Sequence, residues 1–186
     1  MRFVGIDLSL SSTGVCVLDE DGGLLESHAI KTKPRGQSMP DRFERYDLLI
    51  DSVYDAAIGS DGGYFTVAIE GYSYGNHIKG LGPLIECGGV LRRKLLLDDC
   101  VAGFIEIPPS CVKKWATSKG NATKQQIILD IACRYGVEFR TDDEADAFCL
   151  AKIAWQMRDI ERCETFNEEC VVRKVLGPSG ADERGA

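Results

Sequence analysis

Residues 2–32 read RFVGIDLSLSSTGVCVLDEDGGLLESHAIKT and contain three short apolar runs separated by turn-forming residues. The runs RFVGID, TGVCVLD and GLLESHAIKT have the length and composition of β-strands, and the acidic, glycine-containing EDGG lies between the last two. Strands that follow each other through tight turns pair in antiparallel fashion. The segment therefore predicts a three-stranded antiparallel meander, with Asp7 at the end of its first strand.

The rest of the chain alternates helical and strand patterns. Periodicity and helix-end signals predict a helix over 40–58, a strand in YFTVAIEGY (64–72), a helix over 81–99, a strand in VAGFIEI (101–107) and helices near CVKKWA (111–116), over 123–135 and from the acidic stretch at 140. This order predicts an α/β fold with a mixed five-stranded sheet flanked by helices on both faces. We expect one domain over 1–162 and a partly disordered tail over 163–186, where periodicity is lost.

Composition favours a soluble globular protein: 186 residues, 44% hydrophobic and 27% charged. The opening MRFVGIDLSL lacks the features of a signal peptide, and no apolar run approaches the ~20 residues of a membrane span. We therefore expect a cytoplasmic location. The eight cysteines occur singly, without a CxxC pair and with only two histidines, which argues against zinc and favours small buried hydrophobes, as in GVCVL, IACRY and AFCLA.

The net charge of −7 is unevenly distributed. The segment from His77 to Lys124 contains eight basic and four acidic residues, whereas the remainder of the chain is strongly acidic. A positive band on an acidic body is typical of a surface that binds phosphates, and a solvated helix face accounts equally for its central basic run. The basic residues of the band are Lys79, Arg92, Arg93, Lys94, Lys113, Lys114, Lys119 and Lys124.

The stretch RTDDEADAFCLA (140–151) concentrates acids where a helix begins. Thr141 and Glu144 form a capping-box pattern, and acids in the first turn favour the positive end of the helix dipole. Asp143 and Asp146 share one face, where two unit charges about 5 Å apart repel by about 3 kcal/mol at an effective dielectric near 20, against about 0.3–1 kcal/mol from the dipole. A divalent cation such as Mg²⁺ or Mn²⁺ would offset this repulsion, and a solvated acidic cap is the alternative.

Two further acids end predicted strands. Asp7 shares a strand face with Phe3 and Gly5, and Glu70 shares one with Ala68. If the first and fourth strands are neighbours, both carboxylates emerge at one sheet edge. The helix that begins at 140 then brings Asp143 and Asp146 against that edge.

Four stretches, GIDLSLSSTGVCVL (5–18), AIEGY (68–72), VKKWATSKGNATKQQI (112–127) and DEADAFCLA (143–151), together resemble the RuvC family of Holliday-junction resolvases, within the RNase H-like nucleases. The resemblance covers about residues 2–155. It implies that Asp7, Glu70, Asp143 and Asp146 are the catalytic carboxylates and that they bind two divalent cations, Mg²⁺ or Mn²⁺. It also implies nicks with 5′-phosphate and 3′-hydroxyl ends.

The same resemblance gives roles to basic and aromatic residues. The family's active-site lysines fall on Lys113 and Lys124, with Lys114 and Lys119 beside them, and surface lysines around a loop are the alternative. Where the family places an aromatic for unpaired bases, this chain has Ser73 between Tyr72 and Tyr74. We expect both tyrosines, Lys79, Arg92 and Arg93 to contact DNA. The hydroxyls of Ser11, Ser12 and Thr13 either line the site or form a polar turn.

We expect a homodimeric endodeoxyribonuclease that resolves Holliday junctions and other branched DNA by paired nicks. Gly88 and Gly89 in the helix over 81–99 permit close approach of a partner helix, and the acidic charge resembles phage-encoded members, which implies the host cytoplasm. The alternatives are an RNase H-like nuclease acting on RNA or RNA/DNA hybrid, and a non-catalytic protein that binds branched DNA. An actin-like ATPase also begins with a strand, an Asp and a Ser/Thr/Gly turn, but needs a longer chain.

Overall fold

A five-stranded mixed sheet forms the centre of the molecule. The structure is a computed structural model that describes residues 1–36, 38–59, 63–72, 80–117 and 123–177. The strands are β1 Arg2–Asp7, β2 Ser12–Leu18, β3 Leu24–Lys31, β4 Phe65–Glu70 and β5 Val101–Ile107. Their order in the sheet is β3-β2-β1-β4-β5; β1, β2 and β3 pair in antiparallel fashion, and β1, β4 and β5 are parallel. The predicted meander is confirmed, and the first and fourth strands, whose pairing the sequence left open, are neighbours.

Helices cover both faces of the sheet, as predicted. They are α1 Met39–Ile58, α2 Leu81–Leu96, α3 Pro109–Thr117, α4 Lys124–Tyr135, α5 Asp142–Gln156 and α6 Phe166–Leu176, with a 3₁₀ turn at Ile160–Arg162. Helices α1 and α2 contribute to one core cluster, and α3, α4, α5 and α6 contribute to the other. The α/β class and the element order therefore follow the sequence prediction.

Helix α5 lies directly on the backbone of β1 and β2. A Cβ built on Gly5 would stand 1.9 Å from the carbonyl oxygen of Ala147, and one built on Gly14 would stand 1.9 Å from that of Asp143. No side chain fits into this space. Glycine at these two positions therefore allows α5 to approach the sheet closely enough to place its first turn over the ends of β1 and β2.

The prediction that periodicity is lost from Cys163 onward is wrong over 166–176. Helix α6 begins after the N-cap Thr165 and buries Glu168, Val171 and Val172. The two valines belong to the same core cluster as α5, so the predicted division between domain and tail at 162 falls inside the packed structure. The pattern escaped notice because the buried face of α6 carries a charged residue. The expected disorder of the last residues, 178–186, lies outside the described residues.

The cysteines follow the prediction with one exception. All eight are free thiols, and Cys16, Cys87, Cys111 and Cys149 are buried. Cys133, in the apolar-looking IACRY, was predicted to be buried and is exposed, because its side of α4 faces away from the core. Within the described ranges, no helix is long and apolar enough to cross a membrane.

Candidate active site

Asp7 and Glu70 are the last residues of the neighbouring strands β1 and β4. In the parallel pairing of β1 with β4, Ile6 is the partner of Ile69, so the next residue of each strand lies at the same edge of the sheet. Alternation along the strands puts both acids on the face of Gly5 and Ala68, which α5 covers. We call this edge, where β1, β4 and β5 end, the carboxyl edge.

The first turn of α5 brings Asp143 to the carboxyl edge. Gly14 is the register partner of Asp7 in β2, and the backbone of Asp143 rests on Gly14. The helix start is fixed by the predicted capping box: the Glu144 amide donates to Thr141 Oγ1 (3.3 Å), and the Thr141 amide donates to Glu144 Oε2 (3.0 Å). Thr141 and Glu144 therefore have a structural role in holding the N-terminus of α5.

Asp146 lies one turn before the buried Cys149 and is itself half-buried. Burial raises the pKa of the Cys149 thiol, and the negative charge of Asp146 adds to this effect. The neighbours of Asp146 in sequence, Ala145 and Ala147, are fully buried. The helix therefore holds this carboxylate at the border of the core, on the same helix face as Asp143, three residues earlier.

The first residue of β2 contacts one of the four acids. Ser12 Oγ donates to Asp143 Oδ2 at 2.5 Å. Thr13 is buried and holds the turn itself, since its hydroxyl donates to the carbonyl of Ser9 (2.6 Å) and accepts from the Ser9 amide (3.2 Å). Of the two interpretations of these hydroxyls, Ser12 therefore fits the site and Thr13 fits the polar turn. The Ser11 hydroxyl lies 3.1 Å from that of Ser9 and also fits the polar turn.

The four acids supply hard carboxylate oxygens, the ligands that Mg²⁺ and Mn²⁺ prefer. Across the described part of the chain, no group of three or more His, Cys, Asp or Glu side chains is close enough together to hold a metal ion. The backbone nevertheless brings the predicted acids to one edge of the sheet. Their donor chemistry fits a divalent cation.

The predicted active-site lysines lie on α3 and at the start of α4. Because Ile107 at the end of β5 pairs with Glu70, α3 starts next to that acid, and its Lys113 and Lys114 are exposed. Lys124 begins α4 behind the N-cap Thr123. The side chain of Lys124 and all of Lys119 lie outside the described residues, as do Ser73, Tyr74 and Lys79.

Arg92 and Tyr72, both predicted to contact DNA, have partners inside the chain. The Arg92 side chain is only 14% exposed and pairs with Glu106, and Tyr72 packs beneath its guanidinium. The adjacent Arg93 is exposed, so its DNA contact stays a prediction. The sequence shows the charge of Arg92 but does not show that Glu106 neutralises it.

The sequence prediction overlooked a second basic segment at the same edge. Lys31 at the end of β3 pairs with Ser12, and Lys31 and Lys33 are both exposed. Arg45 of α1 fixes this segment by donating to Thr32 Oγ1 (3.0 Å) and to a carbonyl of the β1–β2 turn. The run IKTKPRG (30–36) carried the signal, but it lies outside the band between His77 and Lys124.

The chain is similar to known proteins in sequence and in fold. No protein-family model matches the chain. A crossover junction endodeoxyribonuclease RuvC from Sulfurovum sp. (strain NBC37-1) is 28% identical over 161 residues, which cover 81% of this chain and 92% of that protein.

Two solved structures share the fold. The RuvC of T. thermophilus in complex with a Holliday junction substrate superposes with a TM-score of 0.61 at 17% identity, covering 85% of this chain and 95% of that one. A structure of Thermus thermophilus RuvC gives a TM-score of 0.57 at 19% identity, covering 85% and 96%. At these identities the likeness shows the fold.

Proposed function

We propose that the chain, which is similar to RuvC proteins in sequence and in fold, is a RuvC-type, metal-dependent, structure-selective endodeoxyribonuclease that cuts four-way junctions and other branched DNA. The observation that carries the proposal is the meeting of Asp7, Glu70 and the first turn of α5 at one sheet edge. A protein that only binds DNA gains nothing from concentrating negative charge where phosphates must lie.

The four carboxylates are the proposed metal ligands. Asp7, Glu70, Asp143 and Asp146 would hold two divalent cations, Mg²⁺ or Mn²⁺. When bound, such ions lower the pKa of an attacking water and stabilise the leaving oxygen of a phosphodiester. The chain's own contribution is to hold the carboxylates: Ser12 orients Asp143 through its hydrogen bond, and the close packing of α5 on the sheet keeps both aspartates at the edge. The proposed products carry 5′-phosphate and 3′-hydroxyl ends.

Basic residues on one side of the carboxyl edge are proposed to hold the DNA backbone. Lys113 and Lys124 would grip the scissile phosphate and stabilise its developing charge, because a fixed cation near the reacting group acts strongly in a water-poor site. The exposed Lys114 and Arg93 would contact flanking phosphates. Lys79, Lys119 and Tyr74 are also proposed to contact DNA.

A homodimer would present two such sites to a two-fold symmetric junction and give paired nicks. The outward face of α2 supports this proposal through Gly89, beside the exposed Ile85 and Val90, because a Cβ on Gly89 would meet no described atom within 4 Å. Gly88 does not support it, since a Cβ there would stand 2.1 Å from the Tyr72 hydroxyl oxygen of the same chain. We expect the wild type to sediment as a dimer and Gly89→Arg as a monomer; a monomeric wild type would contradict the dimer.

The proposed activity is tested by incubating the protein with labelled four-way junction, flap, linear duplex and RNA/DNA hybrid, each in Mg²⁺ and in EDTA. We expect paired nicks in the junction, slower cleavage of the flap, intact linear duplex, and no cleavage in EDTA. Preferential cleavage of the hybrid would favour an RNase H-like nuclease acting on RNA. Tight junction binding without any cleavage would identify a non-catalytic junction-binding protein.

A further inference from the structure

The guanidinium of Arg92 in α2 donates its hydrogen bonds to groups of the same chain. Its Nε and Nη2 donate to Glu106 Oε2 at 3.1 and 3.0 Å, and its Nη1 donates to the Tyr72 hydroxyl at 2.8 Å. Hydrogen bonds between ionised partners are about twice as strong as neutral ones. Together with the low exposure of the side chain, these contacts make Arg92 a poor candidate for a DNA phosphate contact.

Tyr72 is docked on α2 by the same residue. The guanidinium carbon of Arg92 lies 4.5 Å from the centre of the Tyr72 ring, a cation–π contact. The Tyr72 hydroxyl reaches α2 and donates to the carbonyl of Ile85 at 3.4 Å. Gly88 makes room for this hydroxyl, because any Cβ at that position would overlap it. The chain leaving β4 is thereby held against α2 just before the segment 73–79.

The partners of Arg92 surround the end of β4, where Glu70 lies. Arg92 Nη2 donates to the carbonyl of Glu70 at 3.3 Å. Glu106 belongs to β5 and is the register partner of Ile69, immediately before Glu70. The amide of Gly71 donates to the carbonyl of Ile107 at 2.8 Å, which continues the strand pairing past Glu70. Arg92 therefore connects α2, β5 and the residues on both sides of a proposed metal ligand.

We propose that Arg92 is a positioning residue, which fixes the end of β4 through Glu106, Tyr72 and the Glu70 carbonyl and so sets the place of the Glu70 carboxylate in the metal site. The role rests on the proposed function of that site and deepens it. Lysine cannot replace arginine here, because an ammonium lacks the planar fork that reaches all three partners.

The experiment compares Arg92→Ala and Arg92→Lys with Arg93→Ala. Two measurements test the metal site: Mn²⁺ binding to the protein without DNA, by titration calorimetry, and single-turnover cleavage of a four-way junction at saturating protein. A third measurement, junction affinity in EDTA at several salt concentrations, tests for a DNA contact. We expect both Arg92 variants to bind Mn²⁺ at least about fivefold more weakly and to cleave about tenfold more slowly, the rate equivalent of one hydrogen bond to a charged group. Their junction affinity and its salt dependence should stay at the wild-type values.

Arg93→Ala should show the opposite pattern, with weaker junction binding, a salt slope smaller by about one phosphate contact and unchanged Mn²⁺ binding. Arg173→Ala, which removes another surface Arg–Glu pair, is the neutral control. Tyr72→Phe removes only the hydroxyl and serves if Arg92→Ala fails to fold; we expect a smaller loss in the same two measurements.

The proposal is overturned if Arg92→Lys keeps wild-type Mn²⁺ binding and cleavage, or if Arg92→Ala loses junction affinity and salt dependence while its rate at saturation is unchanged. In the second case Arg92 is a DNA contact. A wild type that cuts no branched DNA would refute the proposed function instead. The Mn²⁺ titration would then decide about Arg92 separately, because it requires no DNA.

Discussion

Gly14 lies directly beneath Asp143, so that a Cβ on this glycine would stand 1.9 Å from the carbonyl oxygen of the aspartate. Gly14→Ala must therefore push α5 off the sheet at the point where its acids meet Asp7. We expect a loss of about 1–3 kcal/mol in the free energy of unfolding, the usual cost of overpacking, together with loss of cleavage. Urea denaturation measures the first and a junction assay the second.

Gly82→Ala in α2 is the matched control, because a Cβ at Gly82 meets no described atom within 4 Å. It should leave stability unchanged or raise it by up to about 1 kcal/mol, since alanine favours helix over glycine. Equal stability of Gly14→Ala and the wild type would contradict the close packing of α5 on β2.

Ser12→Ala removes the hydroxyl that donates to Asp143. Because both side chains are only half-buried, water can replace the lost bond and stability should change little; Asp143 loses its fixed orientation, however, and cleavage should be at least about tenfold slower. Ser27→Ala is a fair comparison, because Ser27 donates to Glu144, a capping carboxylate of the same helix, at 3.2 Å. Single-turnover rates at saturating Mg²⁺ should fall for Ser12→Ala alone, and equal rates for both variants would remove Ser12 from the site.

The sequence predicted the parts of this fold that local pattern determines. The meander follows from alternation and turn residues in 2–32, whereas the pairing of β1 with β4 was only a condition of the predicted site, and the structure supplies it. The capping box of α5 separates Glu144 from Asp143 and Asp146 by spacing alone.

What the sequence did not predict depends on partners far away in the chain. Arg92 looked like a solvated cation because Glu106 and Tyr72, which engage it, lie 14 and 20 residues away. Helix α6 looked like a polar tail because its buried Glu168 is satisfied by residues of α4 and α5. Charge in a sequence indicates exposure only when no such partner exists.

Glu168 connects α6 to α4 and α5, so we expect its replacement to lower stability strongly. It is fully buried and accepts from Arg134 (2.6 Å), Tyr135 (2.8 Å) and Gln156 (2.9 Å). Burial and the nearby charge of Glu168 raise the pKa of Tyr135, so its phenol stays protonated and donates. Glu168→Ala leaves the half-buried Arg134 without its carboxylate and removes the shared partner of Tyr135 and Gln156, so we expect a loss of about 3–5 kcal/mol in the free energy of unfolding.

The comparison variant is Glu169→Ala, which removes only the exposed pair with Arg173 and should cost less than about 0.5 kcal/mol. Chemical denaturation of both proteins gives the two values. If Glu168→Ala were as stable as Glu169→Ala, residues 166–176 would not be part of the packed domain.

Lys124→Ala tests the proposed grip on the scissile phosphate. Loss of a cation that stabilises developing charge should lower the cleavage rate by about 10²-fold while the unfolding midpoint stays near that of the wild type. Lys174→Ala, at the exposed end of α6, should change neither quantity. A loss of stability in parallel with the loss of rate would show that Lys124 has a structural role.

Asp146→Asn tests the metal site most directly, since the amide keeps the size of the side chain and removes its charge. The measurement is single-turnover cleavage of a labelled four-way junction in Mg²⁺ and in EDTA, with junction affinity determined in parallel. We predict cleavage by the wild type in Mg²⁺ and none in EDTA, and a variant that binds the junction as tightly but cuts it at least about 10²-fold more slowly. Full cleavage by Asp146→Asn, or wild-type cleavage that persists in EDTA, would contradict the carboxylate-held metal mechanism.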